Sequence, residues 1–187
     1  DQDIVVGLDL AEGFDLTQPQ QCDQAIQRVI AEHGRIDVLC NNAGISSVGD
    51  VVDSTLDDWQ RVFAVNVFGI ANMSRAVLPH MRTQGSGFIV NTCSIAATVG
   101  LVERAVYSAS KGALLSLGRH IARNGAAHGV RCNIVAPGVI ETSMNAHLPK
   151  PDPQTLPARR LGTPEDVAGP VLFLASDAAR FMTGVVL

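Results

Sequence analysis

The sequence has no basic excess. Fourteen Lys and Arg stand against eighteen Asp and Glu, giving a net charge of −4 and a pI near 5.7. With no positive field to meet a phosphate backbone, nucleic-acid binding is not expected as its main function. No unbroken apolar run approaches the roughly 18–20 residues that cross a bilayer, so an integral membrane protein is not expected either. The four cysteines, Cys22, Cys40, Cys93 and Cys132, form no C-x-x-C pair. A chain of 187 residues does not need disulfide staples, so they read as free thiols in a reducing cytoplasm. The five histidines show no H-E-x-x-H or other close ligand spacing, and no metal site is expected. Charged residues are few, at 17%, while 47% are apolar, which excludes a disordered chain and provides for a sizeable core.

There is no initiator Met and no signal peptide. Asp1-Gln2-Asp3 runs straight into Ile4-Val5-Val6-Gly7-Leu8, and the chain closes on Gly184-Val185-Val186-Leu187, a strand interrupted midway. The expectation is one domain, residues 1–187, trimmed at both ends from a longer polypeptide.

Ile4 to Leu8, ending at Asp9, has the pattern of a buried strand. Thr17 offers an N-cap with Pro19 just inside, and Cys22, Ala25, Ile26, Val29 and Ile30 follow at helical spacing until Gly34. Ile36 to Cys40 is the next strand, leading into the turn Asn41-Asn42-Ala43-Gly44. Thr55 to Asp58 forms a capping box for a long helix over about 57–83. A strand at Gly87–Asn91 ends in Thr92-Cys93-Ser94; a second long helix covers about 105–127; and Val130–Ala136 is a strand ending at Pro137-Gly138. Residues Ser143 to Pro157 hold four prolines and read as a mobile loop. Thr163-Pro164-Glu165 opens a last helix that Gly169-Pro170 should bend. Strands alternating with helices predict an α/β fold with a doubly wound parallel sheet, Rossmann-like, in three α/β/α layers. Ligands of such sheets lie outside the carboxyl ends of the strands. Asp9, Asn41–Gly44, Thr92–Ser94 and Pro137–Gly138 all fall at such ends.

Tyr107, the only tyrosine, and Lys111 sit four apart on one helix and share a face. An ammonium near a phenol favours the phenolate, which lowers its pKa from about 10 and suits the phenol to acid/base work at neutral pH. Y-x-x-x-K alone also describes ordinary helix-surface neighbours. Ser94, at a strand's carboxyl end thirteen residues earlier, sharpens the reading, because its hydroxyl is placed to bond the same substrate oxygen. Asn66 is a polar residue inside an apolar helical stretch. It is either a helix-distorting Asn with a structural water or one that holds a water linking Lys111 to solvent.

The set Asn41-Asn42-Ala43-Gly44, Asn66, Ser94, Tyr107-Ser108-Ala109-Ser110-Lys111 and Asn133…Pro137-Gly138…Thr142 resembles the classical short-chain dehydrogenase/reductase family. Gly162 to Ala168, Phe173 to Asp177 and Thr183-Gly184 extend the likeness, which runs from Asp15 to Leu187. The resemblance implies NAD(P)-dependent hydride transfer between a secondary alcohol and a ketone. Tyr107 would exchange the hydroxyl proton, Ser94 orient the substrate oxygen, Lys111 lower the Tyr107 pKa and hold the nicotinamide ribose, and Asn66 complete a proton relay. Asp15 and Leu16 would meet adenine. Asn42, Ala43 and Gly44 would line the adenosine ribose, with Pro137, Gly138, Ile140 and Thr142 at the nicotinamide. If Ile4–Leu8 is the second strand of the nucleotide-binding unit, Asp9 accepts the ribose hydroxyls and favours NAD over NADP; if it is the third, Asp9 is a loop residue. A homo-oligomer, dimer or tetramer, is implied through the two long helices. The expected substrate is a small or medium secondary alcohol or ketone, with Met144, Leu148 and Leu156 as apolar and His147, Lys150, Arg159 and Arg160 as polar candidates in the loop that borders it.

The family's T-G-x-x-x-G-x-G turn after the first strand is absent, as is its D-G-G after the last, and Cys93 stands where Ser is usual. An additional N-terminal strand and helix, roughly 20–30 residues, is therefore expected. Two rivals stand. Ser108-Ala109-Ser110-Lys111 satisfies the S-x-x-K of acyl-transfer enzymes, but S-D-N, K-T-G and G-x-S-x-G are missing. A catalytically silent nucleotide-binding or regulatory protein on the same scaffold would explain the missing glycine turn but not the intact Asn66, Ser94, Tyr107 and Lys111.

Overall fold

The computed structural model describes residues 3–143, 146 and 150–187. Met144, His147 and Leu148, expected to border the substrate, lie outside the described residues. Helix α1 (Pro19–His33) leads to β1 (Val38–Asn41), then α2 (Leu56–Phe63), a π-helical turn (Ala64–Gly69) and α3 (Ile70–Gln84). Then come β2 (Gly87–Thr92), α4 (Ala105–Gly125), β3 (Val130–Val135) and α5 (Pro164–Ala175). The strands pair in parallel in the order β1-β2-β3, with Val38 opposite Phe88 and Gly87 opposite Val130. Residues 184–187 run alongside β3: Gly184 N donates to Cys132 O, Leu187 N to Ile134 O and Ala136 N to Leu187 O. The expected final strand is therefore present as a short ladder.

Alternation along β2 sets the layers. Ile89 packs with Cys22 and Ile26 of α1, Met73, Val77 and Met81 of α3, and Ile121 and Ala122 of α4. Phe88 and Val90 point to the other face, against Leu174, Val167 and Val171 of α5. Helices thus cover both faces, as the periodicity predicts.

Local chemistry explains most boundaries. The Thr55/Asp58 and Thr163/Asp166 capping boxes both form, and Gly34, Gly85 and Gly129 end their helices in the left-handed conformation. The N-cap of α1 is Gln18 rather than Thr17, whose hydroxyl is drawn instead to Asp15 at 2.8 Å. Helix α5 runs unbroken across Gly169-Pro170.

The expected first strand does not form: Ile4–Leu8 pairs with no other segment among the described residues, and Ile4 and Val5 are exposed. A strand exists only with a neighbour to complete its ladder, and apolar pattern alone does not provide one. The seven residues Asp9–Asp15 hold only a 3₁₀ turn, Leu10–Glu12, closed by Gly13. Leu56–Gln84 is one continuous 29-residue helical stretch long and apolar enough to cross a membrane. Val62, Ile70, Met73, Val77 and Met81 along it are buried in the core, which accounts for the apolar composition.

Candidate active site

Ser94, Tyr107 and Lys111 meet at the carboxyl end of β2. Cys93 N is anchored to Val135 O at 2.7 Å, continuing the ladder one residue past β2. Ser94 follows, 8% exposed, and caps the 3₁₀ turn Ile95–Ala97 by accepting from Ala96 N at 3.2 Å. Ile95 N donates to Pro137 O at 3.1 Å, which draws this turn against the Pro137–Gly138 end of β3.

Helix α4 lies across that strand end and brings Tyr107 and Lys111 to it. The Lys111 Nζ lies 5.7 Å from the centre of the Tyr107 ring and donates to Thr92 O at 2.9 Å. Burial lowers the Lys111 pKa from its ordinary value. The Tyr107 pKa is raised: burial is the largest cause, opposed by a hydrogen bond with the Ser94 hydroxyl and by the charge of Arg104, and reinforced by Cys93. This corrects the expectation that Lys111 makes the phenol acidic. Here one of the three ammonium protons goes to the Thr92 carbonyl, and desolvation of the phenolate outweighs the charges around it.

Asn66 is fully buried in the π-helical turn. Its Oδ1 accepts from Ile45 N at 2.8 Å, while its Nδ2 donates to Ile45 O at 2.9 Å and to Ser110 Oγ at 3.0 Å. The side chain thus fastens the loop after β1 to α4. The turn that carries it departs from α-helical geometry, as a helix-distorting Asn would. Gly44 comes close to both groups: a Cβ there would stand 3.3 Å from Asn66 Oδ1 and 3.4 Å from Lys111 Nζ. The sequence links Asn66 to Lys111 but places Gly44 apart from them, and the fold brings all three together.

Two residues near the site were missed as contributors. The Cys93 Sγ donates to Lys111 O at 3.2 Å, so the thiol ties the strand end to the helix carrying Tyr107. Its only sequence signal was its replacement of a usual Ser. Arg104, the N-cap of α4, acts electrostatically on the phenol. A base opening a helix three residues before the sole tyrosine was the available signal.

The remaining expected residues spread along the crevice. Asn42 and Ala43 are exposed at the end of β1. Pro137, Gly138 and Ile140 line a cleft of about 250 Å³ with Val135, Ala136 and Asp166, and Gly138 has open space where a side chain would be. Thr142 is exposed beside them. The cleft continues along α5 past Val167 and Pro170 to Leu187, and Tyr107, Lys111 and Gly44 are not part of its lining. Asp15 binds locally, accepting from Thr17 N and Oγ1, and these bonds hold its carboxyl below the usual range. Leu16 packs over Gly69, and its carbonyl accepts from Asn72 Nδ2 at 3.2 Å. Asp9 is exposed and caps the 3₁₀ turn by accepting from Ala11 N at 2.8 Å. With no strand before it, Asp9 is not at a strand's carboxyl end, and the argument for NAD over NADP loses its geometric premise.

Comparison with known proteins agrees with this geometry. A family model described as enoyl-(acyl carrier protein) reductase matches residues 7–187. The chain is 38% identical over 178 residues to a 3-oxoacyl-[acyl-carrier-protein] reductase of Thermotoga maritima, covering 93% of this chain and 72% of the relative. It is 40% identical over 182 residues to a 2-(R)-hydroxypropyl-CoM dehydrogenase of Xanthobacter autotrophicus, with 92% and 73% covered. A gluconate 5-dehydrogenase from Burkholderia cenocepacia, solved with NADP and tartrate, superposes with a TM-score of 0.88 at 34% identity, over 95% of this chain and 75% of that one. The chain belongs to the short-chain dehydrogenase/reductase family.

Proposed function

We propose that this NAD(P)-dependent oxidoreductase of hydroxyl and ketone groups works through Tyr107, with Ser94, Lys111 and Asn66 organising it. The observation that carries the reading is the half-buried Tyr107 phenol facing the buried Ser94 hydroxyl, beside the Lys111 ammonium at the end of β2. Bound NAD(P) supplies the hydride acceptor or donor. The Tyr107 hydroxyl gives its proton to the substrate oxygen in reduction and takes it back in oxidation. Ser94 donates to the same oxygen and stabilises negative charge developing there. Lys111, close to Gly44 and to the ring of Tyr107, holds the nicotinamide ribose, and Asn66 keeps the Ile45 loop and α4 in register around it. Asn42, Ala43 and Gly44 would line the adenosine ribose, and Pro137, Gly138, Ile140 and Thr142 the nicotinamide. Asp15 and Leu16 retain the adenine end only by family likeness.

Free thiols at Cys22, Cys40, Cys93 and Cys132 support a reducing, cytoplasmic setting. Exposed Leu56 and Phe68 on the outer side of α2 and the π turn support association of copies into a dimer or tetramer. The test is a screen of secondary alcohols and ketones with NAD and with NADP on the full-length protein, following absorbance of the reduced nicotinamide. Oxidation or reduction of members of the set is expected; nucleotide binding with no turnover anywhere in the set contradicts the proposal.

A further inference from the structure

Gly69 closes the π-helical turn that carries Asn66, and its backbone does not explain why it is a glycine. Its φ of −61° and ψ of −45° are open to any residue, and glycine inside a helix is less favourable than alanine. Space explains it. A Cβ built on Gly69 would fall on Leu16 Cδ1 and stand 2.8 Å from Leu16 Cγ. The leucine side chain fills the place of the missing methyl, as a wedge seated in the turn.

The wedge is itself held. The Leu16 carbonyl accepts from Asn72 Nδ2 at 3.2 Å, three residues past Gly69, and from Cys22 Sγ of α1 at 3.4 Å. Asp15, just before it, is fastened twice: its N donates to Gln21 Oε1 at 2.8 Å, and its carboxylate accepts from Thr17 N at 2.9 Å. The side chain of Leu16 also packs on the cluster that Cys22 and Ile26 of α1 share with Met73 and Val77 of α3. A leucine tied down in this way resists moving off Gly69.

Three residues before Gly69, the same turn starts a chain of hydrogen bonds that ends at the phenol's own residue. Asn66 Nδ2 donates to Ser110 Oγ at 3.0 Å, and Ser110 Oγ donates to Tyr107 O at 2.7 Å. Asn66 and Ser110 are both fully buried. The serine has one proton and gives it to the Tyr107 carbonyl, so it meets Asn66 as an acceptor. The backbone that Leu16 presses on is thus the backbone that aims the Asn66 amide. A π turn is a local departure from the α-helix, and such turns recur at functional sites.

We propose that Leu16 is a positioning residue for the reaction: wedged against Gly69 it sets the π turn, and through Asn66 and Ser110 the place of Tyr107 beside Ser94. The inference rests on the placement of Tyr107 in the reaction. A displacement of about 1 Å caused far from the reacting atoms can cost about 100-fold in rate, so a remote wedge has leverage on turnover. Family likeness puts Leu16 at the adenine end of the cofactor, and the two roles separate kinetically. A contact with the nucleotide acts on its KM, whereas a wedge beneath the turn acts on kcat with the cofactor saturating.

The test compares Leu16→Ala, Gly69→Ala and the double variant in the full-length protein, at matched folded fraction and saturating NAD(P). Leu16→Ala empties the notch and Gly69→Ala collides with the leucine. Each is expected to lower kcat by about 10-fold while the cofactor KM changes by less than about threefold. In the double variant the new methyl takes the place of Leu16 Cδ1, and most of the lost kcat should return. Leu16→Met refills the notch and should stay within about twofold of wild type, a comparison that needs no clash at Gly69. In a Ser110→Ala background, where the link to Tyr107 is cut, Leu16→Ala should cost less than about twofold more. A loss carried by the cofactor KM alone, fully additive losses with Ser110→Ala, or a double variant no better than the worse single one overturns the positioning role. Unchanged kcat in Leu16→Ala, with wild-type turnover still lost in Tyr107→Phe, overturns it while the oxidoreductase reading stands. No turnover by wild type overturns both.

Discussion

The Lys111 ammonium donates to the carbonyl oxygen of Thr92 at 2.9 Å and stands 5.7 Å from the centre of the Tyr107 ring. Its first partner is therefore a strand end, and the lysine braces α4 against β2 at the place where the reaction is proposed. Burial lowers its pKa, so the folded chain releases this proton at a lower pH than the unfolded chain. Between the folded value and the ordinary value near 10.5, the unfolded state binds more protons, and stability rises with pH. Denaturant unfolding of wild type and Lys111→Met across pH 7–11 is expected to show wild type gaining on the variant as pH rises toward 10.5. A constant difference across the range contradicts a buried, desolvated ammonium.

The free-enzyme phenol is held above its ordinary pKa of 10 by burial. It stays protonated at neutral pH, the form that donates. Ketone reduction should have a flat kcat/KM through neutral pH and fall only in alkali, while alcohol oxidation, which needs the base form, should rise with pH across the same range. Initial rates in both directions against pH check this. An oxidation profile already level at pH 7 places the proton acceptor elsewhere.

The Cys93 thiol bonds to the Lys111 carbonyl inside a pocket shared with Leu115 and Ile134. Packing and hydrogen bonding make opposite demands here, because a hydroxyl keeps a donor while alanine or valine keeps the apolar character. Cys93→Ser is expected to retain most of kcat, and Cys93→Ala and Cys93→Val to lose about fivefold, the equivalent of one hydrogen bond of roughly 1 kcal/mol. Steady-state kinetics on the three variants at matched folded fraction decide it. The reverse order assigns Cys93 to packing alone.

Gly44→Ala places a methyl 3.3 Å from Asn66 Oδ1 and 3.4 Å from Lys111 Nζ. The lysine end can yield, but Asn66 is locked by Ile45 and Ser110, so the shift falls on Lys111. Activity is expected to drop by about tenfold or more with stability changed by less than about 1 kcal/mol, since small displacements at a reacting centre weigh more on rate than on folding. Asn66→Ala behaves differently: it strips both Ile45 backbone partners and should cost about 2–4 kcal/mol in chemical denaturation.

What was legible in the sequence was what neighbours in the chain decide. Thr55 with Asp58 and Thr163 with Asp166 specify their helix starts, Gly34 and Gly129 the stops, and alternation across Phe88, Ile89 and Val90 the buried strand. The ordered motifs placed Ser94, Tyr107 and Lys111 at one strand end. Partners distant in sequence were not legible. Ile4–Leu8 has strand pattern but no strand to pair with, Asn66 turns out to fasten Ile45 to Ser110, and Lys111 chooses Thr92 over the phenol. The left-handed Glu103 ahead of Arg104 leaves no trace in composition.

The most direct measurement is the turnover of Tyr107→Phe alongside its affinity for the nicotinamide cofactor. Phenylalanine keeps the ring beside Lys111 and removes only the hydroxyl. Steady-state kcat is expected to fall by about 100-fold or more, the range for loss of a general acid, with cofactor affinity within a few-fold of wild type. A kcat close to that of wild type contradicts the account.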